Sequence, residues 1–231
     1  MITIDTISKK YGKAEVLNVS SIDIPTGQSF GLVGNNGAGK TTLFNVILDL
    51  IRPTTGSVTS NSIVVSESEA WKNFTGSFID ESFLIGYLTA EEYFQFVGDL
   101  RGMNTAEVTA FIGQFEDFFN DEIIGKKKYL RDLSKGNQKK AGIVAALMGN
   151  PEVVILDEPF ANLDPTTQIR LKQVIKKLTD NSNITVLISS HDLTHVTEVC
   201  ERIVVLDKGV VVKDISTSAA TLKELELYFS V

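Results

Sequence analysis

The 231-residue chain reads as a single α/β unit with a mainly parallel sheet, an N-terminal antiparallel β region and a helical insertion. Three observations predict this. Apolar runs at SFGLV, VVIL and ITVLIS recur between stretches of helical periodicity, the pattern of strand–helix crossovers over a sheet covered on both faces. Ile2, Ile4 and Ile7, then Val16, Val19, Ile22 and Ile24, alternate in part up to the turn Pro25-Thr26-Gly27-Gln28, as paired antiparallel strands do. From Thr89 to Asn120 the chain is helical in pattern and rich in phenylalanine.

The elements run in order along the chain. Ser29 to Gly34 is a buried strand that leads into a glycine loop and a helix, which Pro53 is expected to end. Gly56 marks the next turn. EEYFQFVGDLRG and AEVTAFIGQFEDFF form two amphipathic helices of an insertion spanning roughly 81–149. In LSKGNQKK, Ser134 sits where an N-cap belongs, and Ile143, Val144 and Leu147 continue a helix up to the break at Gly149-Asn150-Pro151. VVILDEP then supplies a strand, Pro165 to about Lys177 a helix, ITVLISSH a strand, and IVVLDKGVVV a hairpin after one more helix.

A net charge of -7 argues against a nucleic-acid binder, because neutralising a phosphate backbone takes a basic surplus. The single cysteine, Cys200, excludes an internal disulfide framework, and MITIDTISKKYGK has no apolar leader core. The expectation is a cytosolic protein that meets a membrane only through a partner. His191 and His195 lie four apart, a spacing open to zinc with Glu198 or Cys200, but no motif completes a ligand set. His195 is expected on a partly exposed helix face, and Lys126 to Lys128 in a solvated charge run.

GNNGAGKT, Gly34 to Thr41, fits G-x-x-x-x-G-K-[ST] between an apolar strand and a helix, which makes this a phosphate-loop core. The backbone N–H groups of Gly34, Asn35, Asn36, Gly37, Ala38 and Gly39 can curl around phosphates. Lys40 reaches the β- and γ-phosphates, and the Thr41 hydroxyl faces Mg²⁺. Asp157, at the end of VVIL, is placed to hold that metal, and Glu158 beside it to activate water. Three lysines crowd the first turns after Ser134. A helix N-terminus is already positive, so they imply a nearby anion.

The order of these pieces resembles the nucleotide-binding subunit of ATP-binding-cassette transporters along nearly the whole chain. GNNGAGKTT, including Thr42, is similar to that family's Walker A, VVILDEP to its Walker B with Glu158 as the catalytic glutamate, and ANLD to its D-loop. SSH resembles the H-loop, with His191 sensing the γ-phosphate. Tyr11 falls where the family stacks an aromatic on adenine, and LSKGNQKK where its LSGGQ signature belongs. Lys135 and Asn137 depart from that signature, as in some export-type members, while Ser134 and Gly136 are retained. The Q-loop glutamine is replaced by Asp80, or second by Glu81, either of which can ligate Mg²⁺.

The resemblance implies an ATP-hydrolysing subunit that pairs with a second ATP-binding subunit around two ATP molecules. Ser134 and the Gly136 N–H would then complete the partner's site opposite Lys40, which supplies the missing anion. A separate membrane permease would carry the substrate and hold the subunit at the cytoplasmic face. Two rivals stand beside this: a non-transport ATPase of the same family, which usually brings a second cassette or long extensions, and a small-molecule kinase, against which LSKGNQKK, ANLD and SSH count.

Overall fold

The structure is a computed structural model that describes residues 1–180 and 183–230. The chain opens with β1 (Ile2–Tyr11), β2 (Ala14–Val19) and β3 (Ile22–Ile24), followed by β4 (Ser29–Val33) and α1 (Lys40–Ile47). Then come β5 (Thr55–Ser60), β6 (Ile63–Val64) and β7 (Thr75–Phe78), and the helices α2 (Ala90–Leu100), α3 (Thr105–Gly113), α4 (Glu116–Phe119) and α5 (Lys135–Ala146). The last part alternates β8 (Val153–Leu156), α6 (Pro165–Asp180), β9 (Thr185–Ser190), α7 (Leu193–Val199), β10 (Arg202–Asp207), β11 (Val210–Ser216) and α8 (Thr221–Phe229).

Two sheets result. β2, β1, β5 and β6 lie side by side, with β3 also on β1, all antiparallel. The second sheet has the order β11-β10-β4-β9-β8-β7, parallel throughout except for the β10–β11 hairpin. Successive residues of its central strands point to opposite faces. Leu32, Ile155, Leu187 and Val204 enter one core with α1 and the antiparallel sheet. Val33, Val154, Ile188 and Val205 enter the other with α5, α6 and α7. Both faces are therefore dry, which is why these strands read as continuous apolar runs.

Several elements differ from expectation. Helix α1 stops at Ile47, well before Pro53, because Asp49 takes a left-handed φ of 50° and the N–H groups of Asp49 and Leu50 return to Val46 and Asn45. That arrangement satisfies the last carbonyls without a proline. Gly56 lies inside β5, at φ +85°, beside an irregularity in its pairing with β1. The second insertion helix is split: Thr105–Gly113 and Glu116–Phe119 are separate pieces. Strand β7 and helix α8 have no counterpart among the expected elements. Phe94, Phe118 and Phe119 are buried in the helical region, whereas Phe96 is exposed.

Capping boxes open α2 and α3, where Thr89 pairs with Glu92 and Asn104 with Glu107. Each box satisfies two otherwise orphaned N–H groups. The guanidinium of Arg101, at the end of α2, donates to the carbonyls of Lys72, Asn73 and Thr75, fastening the helical segment to the start of β7.

Candidate functional site

The carboxyl ends of three neighbouring parallel strands converge. β9 lies between β4 and β8, with Val33 beside Ser190 and Leu156 beside Ile188. This pairing gathers three segments in one place: the Gly34–Thr41 loop after β4, Asp157 and Glu158 after β8, and His191 after β9. Open α/β sheets bind ligands at this edge.

The loop is braced from below. A side-chain carbon at Gly34 would lie 2.2 Å from the Leu206 carbonyl oxygen, so only glycine allows the loop to cross the β10 end there. The Gly209 N–H, in the β10–β11 turn, donates to the Ala38 carbonyl at 2.8 Å. Gly37, Gly39, Lys40, Thr41, Thr42 and Glu158 line a cavity of about 240 Å³ together with Val16 and Asn36. Tyr11 is exposed at the tip of the β1–β2 hairpin, whose second strand brings Val16 to that cavity.

Lys40 is buried, and its ammonium donates to the Gly34 carbonyl at 2.7 Å while lying 3.2 Å from a Glu158 carboxylate oxygen. The other Glu158 oxygen is 2.8 Å from His191 Nδ1. Glu158 itself has a φ of 45°. Thr41 Oγ1 donates to Asp157 Oδ2 at 2.5 Å, and the Ser189 hydroxyl donates to the other Asp157 oxygen. Burial pushes the Asp157 carboxyl up from the usual range, and the hydroxyls of Ser189 and Thr41 hold it back.

A second cavity, of about 430 Å³, adjoins the first and shares Thr41 and Glu158 with it. Asp80, Glu81, Lys139, Asp157 and Asn162 also line it. The Asp80 carboxylate accepts from the Ser82 N–H at 2.8 Å, and the Ser82 side chain, followed by that N–H, holds its pKa below the usual range. The Thr41 hydroxyl and the Asp157 and Asp80 carboxylates offer only oxygen to a metal, the donor chemistry of a hard divalent cation.

Ser134 caps α5, its hydroxyl accepting from the Asn137 N–H at 3.2 Å. Ser134 and Lys135 are exposed, and neither Ser134 nor Gly136 lines the two cavities of its own chain. A side-chain carbon at Gly136 would come within 3.1 Å of the Asn162 carbonyl, so the signature segment packs tightly on the ANLD loop. The lysines further along α5 find their anions inside the chain. Lys140 pairs with Glu122 at 2.9 Å, and Lys139 lies 3.7 Å from the Glu81 carboxylate while donating to the Glu158 carbonyl at 2.8 Å. Only Lys135 of the three is exposed.

Sequence reasoning did not single out the Ser189 hydroxyl or the inward turn of Lys139. Both act across long stretches of chain, and only the crowding of lysines hinted at the second. His195 is buried, correcting the expected half-exposed position. Its ring lies 4.5 Å from that of Phe160, and burial pushes its pKa down. Cys200 is fully buried and its thiol pKa is pushed up by that burial.

Comparison with known proteins adds an independent line. The family model described as ABC transporter matches residues 17–161. The uncharacterized ABC transporter ATP-binding protein YhaQ of Bacillus subtilis (strain 168) is 37% identical over 90% of this chain and 69% of its own length. The bacitracin transport ATP-binding protein BcrA of Enterococcus faecalis is 32% identical over 94% and 70%. Among solved structures, the dimeric post-hydrolysis state of the ATP-binding cassette MJ0796, bound to ADP and Pi, superposes with a TM-score of 0.83 at 27% identity. That match covers 95% of this chain and 100% of the other. The chain belongs to the ABC transporter family and is an ATP-binding, ATP-hydrolysing subunit.

Proposed function

We propose that this ATPase works as one half of a dimer that closes around two ATP molecules and drives a separate membrane permease. The observation that carries the reading is the clustering of Lys40, Thr41, Asp157, Glu158 and His191 at one sheet edge, while Ser134 and Gly136 lie outside the cavities there. A helix N-terminus with an exposed hydroxyl and no phosphate site of its own suits a phosphate held by another subunit.

In this reading the loop N–H groups and Lys40 hold the β- and γ-phosphates, and Tyr11 stacks on adenine. Glu158 orients and deprotonates the attacking water, and His191, bonded to that carboxylate, keeps it aimed and meets the γ-phosphate. Thr41 and Asp157, with Asp80 beside them, would hold Mg²⁺. When bound, the ion screens the phosphate charge. The Asp157 carboxylate fits that role, since it is buried among hydroxyl donors and a cation there would offset the cost of its burial.

The permease reading is supported by a groove of about 350 Å³ lined by Leu48, Leu50, Phe83, Leu84, Tyr93 and Val97, with Phe83 strongly exposed. A short apolar helix of a membrane subunit suits such a groove. No helix among the described residues is long and apolar enough to cross a membrane. In this reading the subunit sits at the cytoplasmic face through its partner. Purification from detergent extracts tests this: a polytopic protein should accompany the wild-type chain and be lost on Phe83→Asp. Retention of the same partner by that variant would rule the groove out.

A further inference from the structure

Lys139 reaches the reaction centre from behind. It is 5% exposed, and its ammonium donates to the Glu158 main-chain carbonyl at 2.8 Å while lying 3.7 Å from the Glu81 carboxylate. Desolvation pushes its pKa below the ordinary lysine range, opposed by the charges of Glu81, Glu158 and Asp157. An ammonium with so little solvent needs partners that are held in place. Those partners lie on different segments, the loop after β8 and the turn at 81–83, and α5 joins them. Glu158 is also a residue with a left-handed φ, a conformation that persists only where neighbours hold it.

We infer that Lys139 is a positioning residue for hydrolysis: by gripping the Glu158 carbonyl and the Glu81 carboxylate together, it aims the Glu158 side chain and ties that aim to the 80–83 segment. This rests on the reading that Glu158 activates water. The tie has a consequence for coupling. Glu81 and Phe83 line the cavity that contains Glu158, and Phe83 and Leu84 line the apolar groove. A partner seated in the groove therefore presses on the segment that Lys139 holds.

Lys139→Met keeps most of the unbranched side chain and removes the ammonium, and Glu81→Gln keeps size and removes charge. Steady-state ATPase, equilibrium ATP binding and Tm are measured on the full chain. Lys139→Met should lower kcat by about 10- to 100-fold, the scale of an ångström-size misplacement. Its ATP affinity should stay within about threefold, since an aiming defect spares ground-state binding. Glu81→Gln should lower kcat less, and the double variant should be no slower than Lys139→Met, because both act through one contact. If Lys139→Met does not fold, a kcat loss in Glu81→Gln at wild-type Tm and ATP affinity supports the inference, and wild-type kcat there overturns it. Wild-type kcat in folded Lys139→Met, or a loss that only tracks unfolded protein, also overturns it. Glu158→Gln is assayed alongside. Wild-type turnover in that variant would fault the reading of Glu158, whereas an inactive Glu158→Gln beside a normal Lys139→Met would fault the role of Lys139 alone.

Discussion

The Lys40 ammonium lies 3.2 Å from the Glu158 carboxylate, so the cation that would meet a phosphate and the base that would activate water already neutralise one another. In the proposed reading ATP exchanges one partner of Lys40 for another. Lys40→Ala should weaken ATP binding by about 10- to 100-fold, the loss of one charged hydrogen bond. Isothermal titration measures it, and wild-type affinity would remove the phosphate-loop assignment.

Different substitutions at Asp80 separate a turn cap from the proposed metal contact. Its carboxylate accepts from the Ser82 N–H, and it lines the cavity that holds Asp157. Asp80→Asn keeps an acceptor for Ser82 but would weaken the proposed metal contact. The Mg²⁺ concentration for half-maximal ATPase should rise, with Mg²⁺-free nucleotide binding and Tm unchanged. A rise in Asp80→Ala but not in Asp80→Asn would reduce Asp80 to a turn cap.

Lys135 is the exposed lysine at the positive end of α5, since Lys139 and Lys140 are turned inward. Lys135→Gly should leave the monomer as stable or slightly more so, given a helix-end penalty of ~0.3–1 kcal/mol. It should weaken ATP-driven dimerisation by less than about tenfold and reduce its salt dependence. Sedimentation across an ionic-strength series reads this, and an unchanged salt slope would mean that the lysine does not face the partner's phosphate.

His195 sets a pH dependence of stability that is independent of catalysis. Burial lowers its folded pKa below the ordinary 6.5, so its neutral form is favoured by the fold. Its contribution is complete above that value and is lost as pH falls toward the folded pKa. The Tm of His195→Leu should therefore fall less than that of the wild type between about pH 7 and about pH 5, where imidazole titrates. Parallel Tm curves would contradict this.

The central strands were legible because β4, β8 and β9 are buried on both faces and show as unbroken apolar runs. The phosphate loop was legible because its residue types are dictated by local backbone geometry. Strand β7, TGSF, carries no such run. Its state comes from pairing with β8, Thr75 beside Val153 and Phe78 beside Leu156, which no local pattern announces. Helix α8 did leave a trace, since Leu222, Leu225 and Phe229 share one face, and Leu225 is buried. The Lys139 contacts were illegible for another reason. A helix-start lysine looks solvent-facing until the loop after β8 and the 81–83 turn are brought against it.

The most direct test of the account compares single-turnover hydrolysis and ATP binding in the wild type and Glu158→Gln. Removing the carboxylate charge frees Lys40 from its internal partner and removes the proposed base. The variant should bind ATP at least as tightly as the wild type, accumulate as an ATP-bound dimer, and hydrolyse about 10²-fold more slowly or worse. Hydrolysis at the wild-type rate would contradict the central claim that Glu158, set between Lys40 and His191, carries the reaction.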